Sequence, residues 1–324
     1  MALATLSRVR PLLVCPRCRS AVAADGAAFR CTAIGCPYAE VGSFPIVGDW
    51  PVLVDFERSV LSRDEVSAWA GTSGRARREL HRSRVGAIPP AVRRIWKPVN
   101  RIAEKNIAKL IGLMPDDCRR VLVIGGGTLG NGVDALYRSA PDVELIGMDL
   151  YASDLTVVVA DGHALPLADG CIDAVITQAV LEHVLDPGQV VAEIHRVLRD
   201  DGLVYAETPF LQHVHAGAYD FTRFTASGHR YLFRRFEQID AGPVAGPGTQ
   251  LLWSVDHLAR GLARSQDAGR IVRALFFWLR FLDRMVPRRY ANDCASGVFF
   301  LGRRSEIELT PREIVDYYPG AQRG

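Results

Sequence analysis

The sequence lacks long apolar runs, a strong excess of charge of either sign and a signal for secretion. No segment has the ~18 consecutive apolar residues of a membrane span, so we expect no spanning helix. Residues 1–16 lack a long apolar core and a small-residue cleavage site, and we therefore expect a cytoplasmic protein. The net charge is only +3, which argues against nucleic acid as the partner.

The composition is that of a folded globular chain, because 48% of the residues are hydrophobic and 23% are charged. A length of 324 residues suits one catalytic domain with a small appendage. We predict a Cys-rich domain over 1–56, a helical linker over 57–117, a catalytic domain over 118–304 with a helical insertion at 243–290, and a tail over 305–324.

Four of the seven cysteines lie within the first 36 residues. An odd total with such clustering is a poor disulfide framework and a good metal-site pattern. Cys15-x2-Cys18 and Cys31-x4-Cys36 are separated by twelve residues, and four thiolates on two turns suit tetrahedral zinc. Because the set has no histidine and no open position, we predict a structural zinc ribbon; free or redox-active thiols are the alternative.

Short apolar runs alternate with helical patterns from residue 119 onward, and a helical pattern at 99–114 precedes them. This alternation predicts an α/β fold whose parallel sheet is covered on both faces. The predicted strands are 121–124, 144–148, 155–159, 172–177, 203–207, 236–241 and 296–301.

A glycine loop follows the first predicted strand, with Gly125, Gly127 and Gly130 spaced as G-x-G-x-x-G. Glycine is needed where the backbone turns tightly and a ligand packs against it. Asp149 follows 19 residues after Gly130, where a carboxylate can accept hydrogen bonds from the ribose hydroxyls of a nucleoside cofactor. Dehydrogenases and methyltransferases share this pattern, and a turn without any ligand is the alternative.

Further motifs follow in a fixed order: Ala-Asp-Gly-His at 160–163, Val-Leu-Glu-His-Val at 180–184 and Glu-Ile-His-Arg-Val-Leu at 193–198. This succession resembles the class I S-adenosylmethionine (SAM)-dependent methyltransferases, in particular the small-molecule and glycan branch. The resemblance implies a Rossmann-like, seven-stranded sheet with helices on both faces.

The same resemblance implies a set of contacts to SAM. Gly125, Gly127 and Gly130 would line its methionine and ribose portions, and Asp149 would hold the ribose. The remaining contacts would be Asp161 at the adenine amino group, Gly162 and His163 beside it, and Gln178 near the methionine. The family often has an acidic residue two positions before the first glycine, where this chain has Val123.

The acceptor side is predicted from two segments. His183 follows the fourth strand and is either a base or a loop-organising residue. The segment 208–225 resembles one that follows the fifth strand in methyltransferases of polysaccharide and natural-product gene clusters. It contributes a polar cluster able to bind and deprotonate an acceptor: His213, His215, Tyr219, Asp220 and Arg223. We predict His215 as the base, then His183; an internal Asp220–Arg223 salt bridge is an equal alternative.

Three segments outside the catalytic motifs carry separate interpretations. Residues 44–53 resemble the zinc-ribbon proteins that activate certain methyltransferases, here fused in cis. The Arg-rich run at 75–94 is a solvated helical face or a site for a phosphate-bearing substrate. The apolar segment 271–286 packs on the core, or contacts a membrane or a lipid-linked substrate.

The sequence therefore favours a SAM-dependent methyltransferase that acts on a small-molecule or glycan acceptor, with transfer to oxygen. A ribosomal RNA base methyltransferase is an alternative, because some of these pair a zinc knuckle with this fold. A non-catalytic SAM-fold scaffold or activator is another, supported by Val123. Nothing in the sequence specifies the oligomeric state.

Overall fold

The computed structural model describes residues 3–40, 42–69, 99–115, 119–133, 136–137 and 143–322. The Arg-rich run at 75–94 lies outside these residues. The strands are β1 (Val22–Asp25), β2 (Ala28–Cys31), β3 (Phe44–Val47), β4 (Trp50–Leu53), β5 (Arg119–Ile124), β6 (Val143–Asp149), β7 (Val158–Ala160), β8 (Ile172–Gln178), β9 (Leu198–Pro209), β10 (Phe236–Ala245) and β11 (Gly297–Arg304). The α-helices are α1 (Leu6–Val9), α2 (Pro37–Glu40), α3 (Arg63–Trp69), α4 (Arg101–Leu113), α5 (Pro187–Val197), α6 (Ala226–Leu232), α7 (Pro247–Ala263), α8 (Gln266–Leu275), α9 (Arg288–Asp293) and α10 (Pro311–Tyr317).

The strands of the described residues form one mixed sheet of 11 strands, in the order β1-β2-β3-β4-β7-β6-β5-β8-β9-β11-β10. The six neighbours from β4 to β9 run parallel. Strand β11 is antiparallel to both β9 and β10. The predicted α/β fold is present, but the sheet is larger than the expected seven strands, because the N-terminal strands join it at the β7 edge.

The central strands are buried on both faces, as expected for parallel strands covered by helices. Successive side chains alternate between two cores: Leu122 packs with α5 on one face, whereas Val121 and Val123 pack with α4 on the other. Helix α5 begins where Asp186 Oδ1 accepts the Gln189 amide at 3.0 Å, ahead of a proline at the first helical position. The predicted covering of both faces is therefore present.

The Cys-rich segment is continuous with the sheet. Strand β4 pairs in parallel with β7 through Val52–Val159 and Leu53–Ala160, and Val52 is fully buried. An ion pair of 3.1 Å between Arg19 and the buried Glu193 joins the first Cys turn to α5. The hydrophobic pattern of residues 44–54 indicates short strands. It could not predict the pairing of β4 with β7, because the pattern is local and β7 is distant in the sequence.

The apolar segment 271–286 does not form one helix on the core. Helix α8 ends at Leu275 and a 3₁₀ helix, Phe277–Arg284, follows. Leu279 is buried in this segment, whereas Leu275, Trp278 and Met285 are 65%, 47% and 78% exposed. The expected packing on the core is thus limited, and the described helices include none long and apolar enough to cross a membrane.

Candidate active site

A cavity of about 1320 Å³ opens at the carboxyl ends of the parallel strands, the edge at which open α/β sheets bind ligands. Strand ends supply its floor through Ile124, Asp149, Gln178 and Glu207. Most of the residues predicted to contact a cofactor line this cavity: Gly125, Gly130, Asp149, Asp161, Gly162, His163 and Gln178. Of the residues predicted on the acceptor side, His183 lines it as well.

The glycine loop follows β5 so tightly that side chains would not fit. Gly125 has a φ of +74°, and a Cβ there would lie 2.3 Å from Val180 Cγ2. A Cβ on Gly130 would lie 2.1 Å from Gln178 Oε1. The Gly127 amide donates to Asp149 Oδ2 at 2.9 Å, which holds that carboxylate at the cavity wall. The loop thus has the close approach that a nucleoside cofactor requires.

Asp161 is held from two sides. Ser59 donates to its Oδ2 at 2.5 Å, and His163 Nδ1 lies 2.7 Å from its Oδ1. The other ring nitrogen, His163 Nε2, accepts the Asp186 amide at 3.1 Å, so His163 braces Asp161 against the start of α5. These hydrogen bonds hold the pKa of Asp161 below its usual range despite burial. Ser59 was not predicted, because no local pattern links it to a residue 102 positions away.

A buried amide–carboxylate network adjoins the glycine loop through Gln178. Its central residue, Glu207, was not predicted from the sequence. Glu207, at the end of β9, accepts from Asn100 Nδ2 at 3.1 and 2.9 Å. It also accepts from Gln178 Nε2 at 2.7 Å and from the Tyr205 hydroxyl. Burial raises the pKa of Glu207. The sequence feature that could have identified Glu207 is a lone carboxylate near the carboxyl end of an apolar strand.

The orientation of the Gln178 amide follows from its donors. Its Nε2 donates to Glu207 and, at 3.0 Å, to the Asn131 carbonyl. Gln178 Oε1 is buried and has no hydrogen-bond partner among the described residues. An unpaired buried acceptor costs about 1–3 kcal/mol, so a donor from a bound molecule would be stabilising here.

The loop after β8 carries the first acceptor-side group. Ala179 has a φ of +55°, an uncommon left-handed conformation for a residue other than glycine. The turn places Glu182 in the interior, where burial raises the pKa of its carboxyl to about 7. His183 Nδ1 lies 2.7 Å from the Tyr219 carbonyl, and burial lowers the pKa of His183. A neutral imidazole therefore borders the cavity.

The loop after β9 packs against this turn and lines the cavity through Gln212, but the predicted acceptor residues of this loop are not among the lining residues. His215 Nε2 lies 3.1 Å from His183 Nε2. Asp220 accepts the His215 amide at 2.9 Å and pairs with Arg223, whose guanidinium holds the pKa of Asp220 well below its usual range. His213 instead stacks on His257, with ring centroids 4.1 Å apart, and Tyr219 is 56% exposed.

The four N-terminal cysteines converge as predicted. Their Sγ atoms all lie within 4.8 Å of one another, with Cys15–Cys36 at 3.8 Å and Cys18–Cys31 at 3.4 Å. A disulfide requires about 2.05 Å, whereas Zn–S bonds of about 2.3 Å place tetrahedral ligands about 3.8 Å apart. The donor set and its spacing therefore fit a zinc ion.

A known protein family matches the part of the chain that carries the glycine loop. Residues 120–206 match the family model described as a methyltransferase domain. This span begins at β5 and ends within β9, so it includes the glycine loop, Asp149, Asp161 and His183. The match agrees with the methyltransferase domain predicted from the motifs.

Curated relatives with matching segments include two methyltransferases. Malonyl-[acyl-carrier protein] O-methyltransferase of Laribacter hongkongensis is 34% identical over 28% of this chain and 37% of its own length. Ubiquinone/menaquinone biosynthesis C-methyltransferase of Geotalea uraniireducens is 25% identical over 26% of this chain and 42% of its own. The chain thus spans about two fifths of the length of these relatives.

Solved structures also match. One is a protein of Galdieria sulphuraria described as a putative sarcosine dimethylglycine methyltransferase. It is 13% identical, with 64% of this chain and 85% of that chain covered and a TM-score of 0.41.

Proposed function

We propose that the protein transfers a methyl group from SAM to a hydroxyl of a small-molecule or glycan acceptor. One observation carries the proposal: a single cavity of about 1320 Å³ joins the glycine loop, Asp149 and Asp161 to His183. The cofactor wall and the acceptor wall therefore enclose one space. Methyl transfer needs chiefly alignment and exclusion of water, which such a cavity can supply.

The cofactor wall offers a group for each part of SAM. Asp149 would accept from the ribose hydroxyls, and the Gly127 amide keeps its carboxylate oriented. Asp161, braced by Ser59 and His163, would face the adenine amino group. Gln178 Oε1 would accept from the methionine amino group, since it lacks a partner among the described residues. Gln178 would thus take the place of the acidic residue that the family often has at the position of Val123.

The acceptor wall offers a base. When bound, SAM supplies a methyl group on a sulfonium sulfur: the C–S bond breaks, its electron pair stays on sulfur, and a C–O bond forms. The acceptor hydroxyl must then lose its proton. The facing Nε2 atoms of His215 and His183 would take that proton, and buried Glu182 would stabilise the imidazolium. The lowered pKa of His183 keeps it neutral and able to accept near pH 7.

The N-terminal cysteines would hold zinc in a structural role. Cys15, Cys18, Cys31 and Cys36 would supply all four ligands, which leaves no position for a substrate. We assign this unit to 1–56, the linker to 57–117, the catalytic domain to 118–304 and the tail to 305–324. Helices α7 and α8 would lie in the insertion of 243–290.

Calorimetry with S-adenosylhomocysteine (SAH) on the full chain tests the cofactor half. We expect binding by the wild type and at least a tenfold higher Kd for Asp149→Ala, because the ribose loses its acceptor. Asp267→Asn is the control, since it removes an exposed carboxylate of α8. If SAH did not bind, the chain would be a scaffold and the proposal would fail.

Transfer of a labelled methyl group tests the acceptor half. Panels of hydroxyl-bearing glycans and small molecules are compared with ribosomal RNA. We expect label on an acceptor oxygen and none on RNA. Label on an RNA base, with affinity for RNA that falls steeply with salt, would overturn the proposed acceptor class.

A further inference from the structure

Glu182, His183 and His215 form a compact cluster beside the cavity, which we call the His₂Glu cluster. Three distances join the same three atoms. His183 Nε2 lies 3.1 Å from His215 Nε2. Glu182 Oε1 lies 3.6 Å from His183 Nε2 and 3.7 Å from His215 Nε2. The three atoms thus form a nearly equilateral triangle.

Both imidazoles turn lone pairs into this triangle. His183 Nδ1 lies 2.7 Å from the Tyr219 carbonyl, which can only accept. His215 Nδ1 lies 3.4 Å from the His213 carbonyl and 3.5 Å from Asp220 Oδ2. These neighbours can accept a hydrogen from Nδ1 of each ring, which directs the Nε2 lone pair of each ring toward the other.

Glu182 adds a carboxylate that has no donor. Its side chain is fully buried, and neither oxygen has a hydrogen-bond partner among the described residues. A buried carboxyl group without a hydrogen-bond partner is destabilising. Two imidazole lone pairs and one carboxylate oxygen therefore converge on one point, where a cation would be stabilised.

We propose that the His₂Glu cluster binds a divalent transition-metal ion. Metal–ligand bonds of about 2.1 Å fit the triangle, with ligand–metal–ligand angles of roughly 95° to 125°. Two histidines with one carboxylate and an open position are a ligand set of catalytic zinc and of other divalent metals. The carbonyl and carboxylate at the two Nδ1 atoms are the outer partners that orient metal-bound histidines.

The open position is where the ion meets the acceptor, an assignment that rests on the proposed function. Glu182 and His183 line the cavity, so a hydroxyl in it could become a ligand of the ion. A divalent ion lowers the pKa of a bound hydroxyl. With the ion bound, it would take up the two imidazole lone pairs and the hydroxyl proton would leave to water; without the ion, His183 and His215 remain the base of the proposed function.

Zinc content of the full-length protein tests the site. Protein loaded with Zn²⁺ is dialysed into metal-free buffer, and zinc per chain is measured by plasma mass spectrometry. We expect two ions in the wild type, one in the cysteine set and one in the His₂Glu cluster. Glu182→Ala, His183→Ala and His215→Ala should each hold one, as should Cys31→Ser. The matched control His257→Gln, which removes a histidine outside the cluster, should hold two.

One ion in the wild type together with none in Cys31→Ser would overturn the proposal, as would two ions in all three cluster variants. The wild-type count requires no variant to fold, and melting curves identify any variant that does not. SAH binding is measured in the same samples. A wild type that holds one zinc, loses it in Cys31→Ser, binds SAH and transfers methyl would overturn the metal site and leave the proposed function standing. A wild type with two zinc ions that binds no SAH would do the reverse.

Discussion

His229 is a fully buried histidine enclosed by aromatic rings. Its ring centroid lies 5.1 Å from that of Phe233 and 6.0 Å from that of Phe224. Its Nε2 has no hydrogen-bond partner among the described residues, and burial lowers the pKa to about 3. The folded protein therefore keeps this ring neutral at pH values where the unfolded chain protonates it.

His229 should make the protein sensitive to acid. The stability it permits is present above the unfolded pKa of 6.5 and is lost as the pH falls toward 3. At pH 5 the loss is about 2 kcal/mol, at about 1.4 kcal/mol per unit. Urea unfolding at pH 7.5 and pH 5 should show this loss in the wild type, and a loss about 2 kcal/mol smaller in His229→Phe. Equal losses in both proteins would contradict the assignment.

Gly130 should control cofactor affinity. Alanine there would place its Cβ 2.1 Å from Gln178 Oε1 and 2.9 Å from Val133 Cγ2, so the amide would have to leave its network. We expect Gly130→Ala to raise the SAH Kd about tenfold or more. Gly112→Ala is the matched control, because nothing lies within 4 Å of a Cβ at that position in α4. Similar Kd values for the two variants would refute the role.

At the scale of elements, the Cys-rich unit shares its apolar core with the main sheet. Its hairpin strands are four residues each, and β1 is largely exposed. Short hairpins are marginal in isolation, so its order depends on the four cysteines and on the β4–β7 pairing. Phe29 and Phe44 of this unit are buried in the same hydrophobic cluster as residues of the main sheet.

Zinc should therefore stabilise this unit. Cys31→Ser removes one thiolate and should lower the zinc content and the Tm, by several degrees for a loss of about 2 kcal/mol. Cys294→Ser is the control, because Cys294 lies outside the cluster and donates to the Tyr290 carbonyl. An unchanged Tm in Cys31→Ser would mean that the sheet alone orders the unit.

At the scale of the molecule, the segment after β4 connects the Cys-rich unit to the cofactor wall. Val60 lines the cavity, and Ser59 bonds Asp161. Ser59→Ala should raise the SAH Kd about fivefold, the equivalent of one hydrogen bond of about 1 kcal/mol. Cys31→Ser should weaken SAH binding in the same direction. Ser67→Ala, which removes an exposed hydroxyl bonded within α3, should leave the Kd unchanged; a loss there equal to that of Ser59→Ala would count against the connection.

Local patterns predicted much of this molecule. The apolar runs from 121 onward predicted where the central strands lie along the chain, and the Cys spacing predicted the cluster. Contacts between distant segments were missed, because no short pattern records them: the β4–β7 pairing, Ser59 with Asp161, and Glu207 with Asn100. The sequence showed Glu182 beside His183, but only the fold brings His215 to both.

The Cys-rich unit is joined to the rest of the sheet by the chain itself and by the parallel pairing of β4 with β7. The Cys-rich unit and the cavity belong to one sheet of one chain, so they are always present in equal numbers. Two separate chains would dissociate on dilution below their Kd. Here the Cys-rich unit and the cavity belong to one chain, so dilution does not separate them.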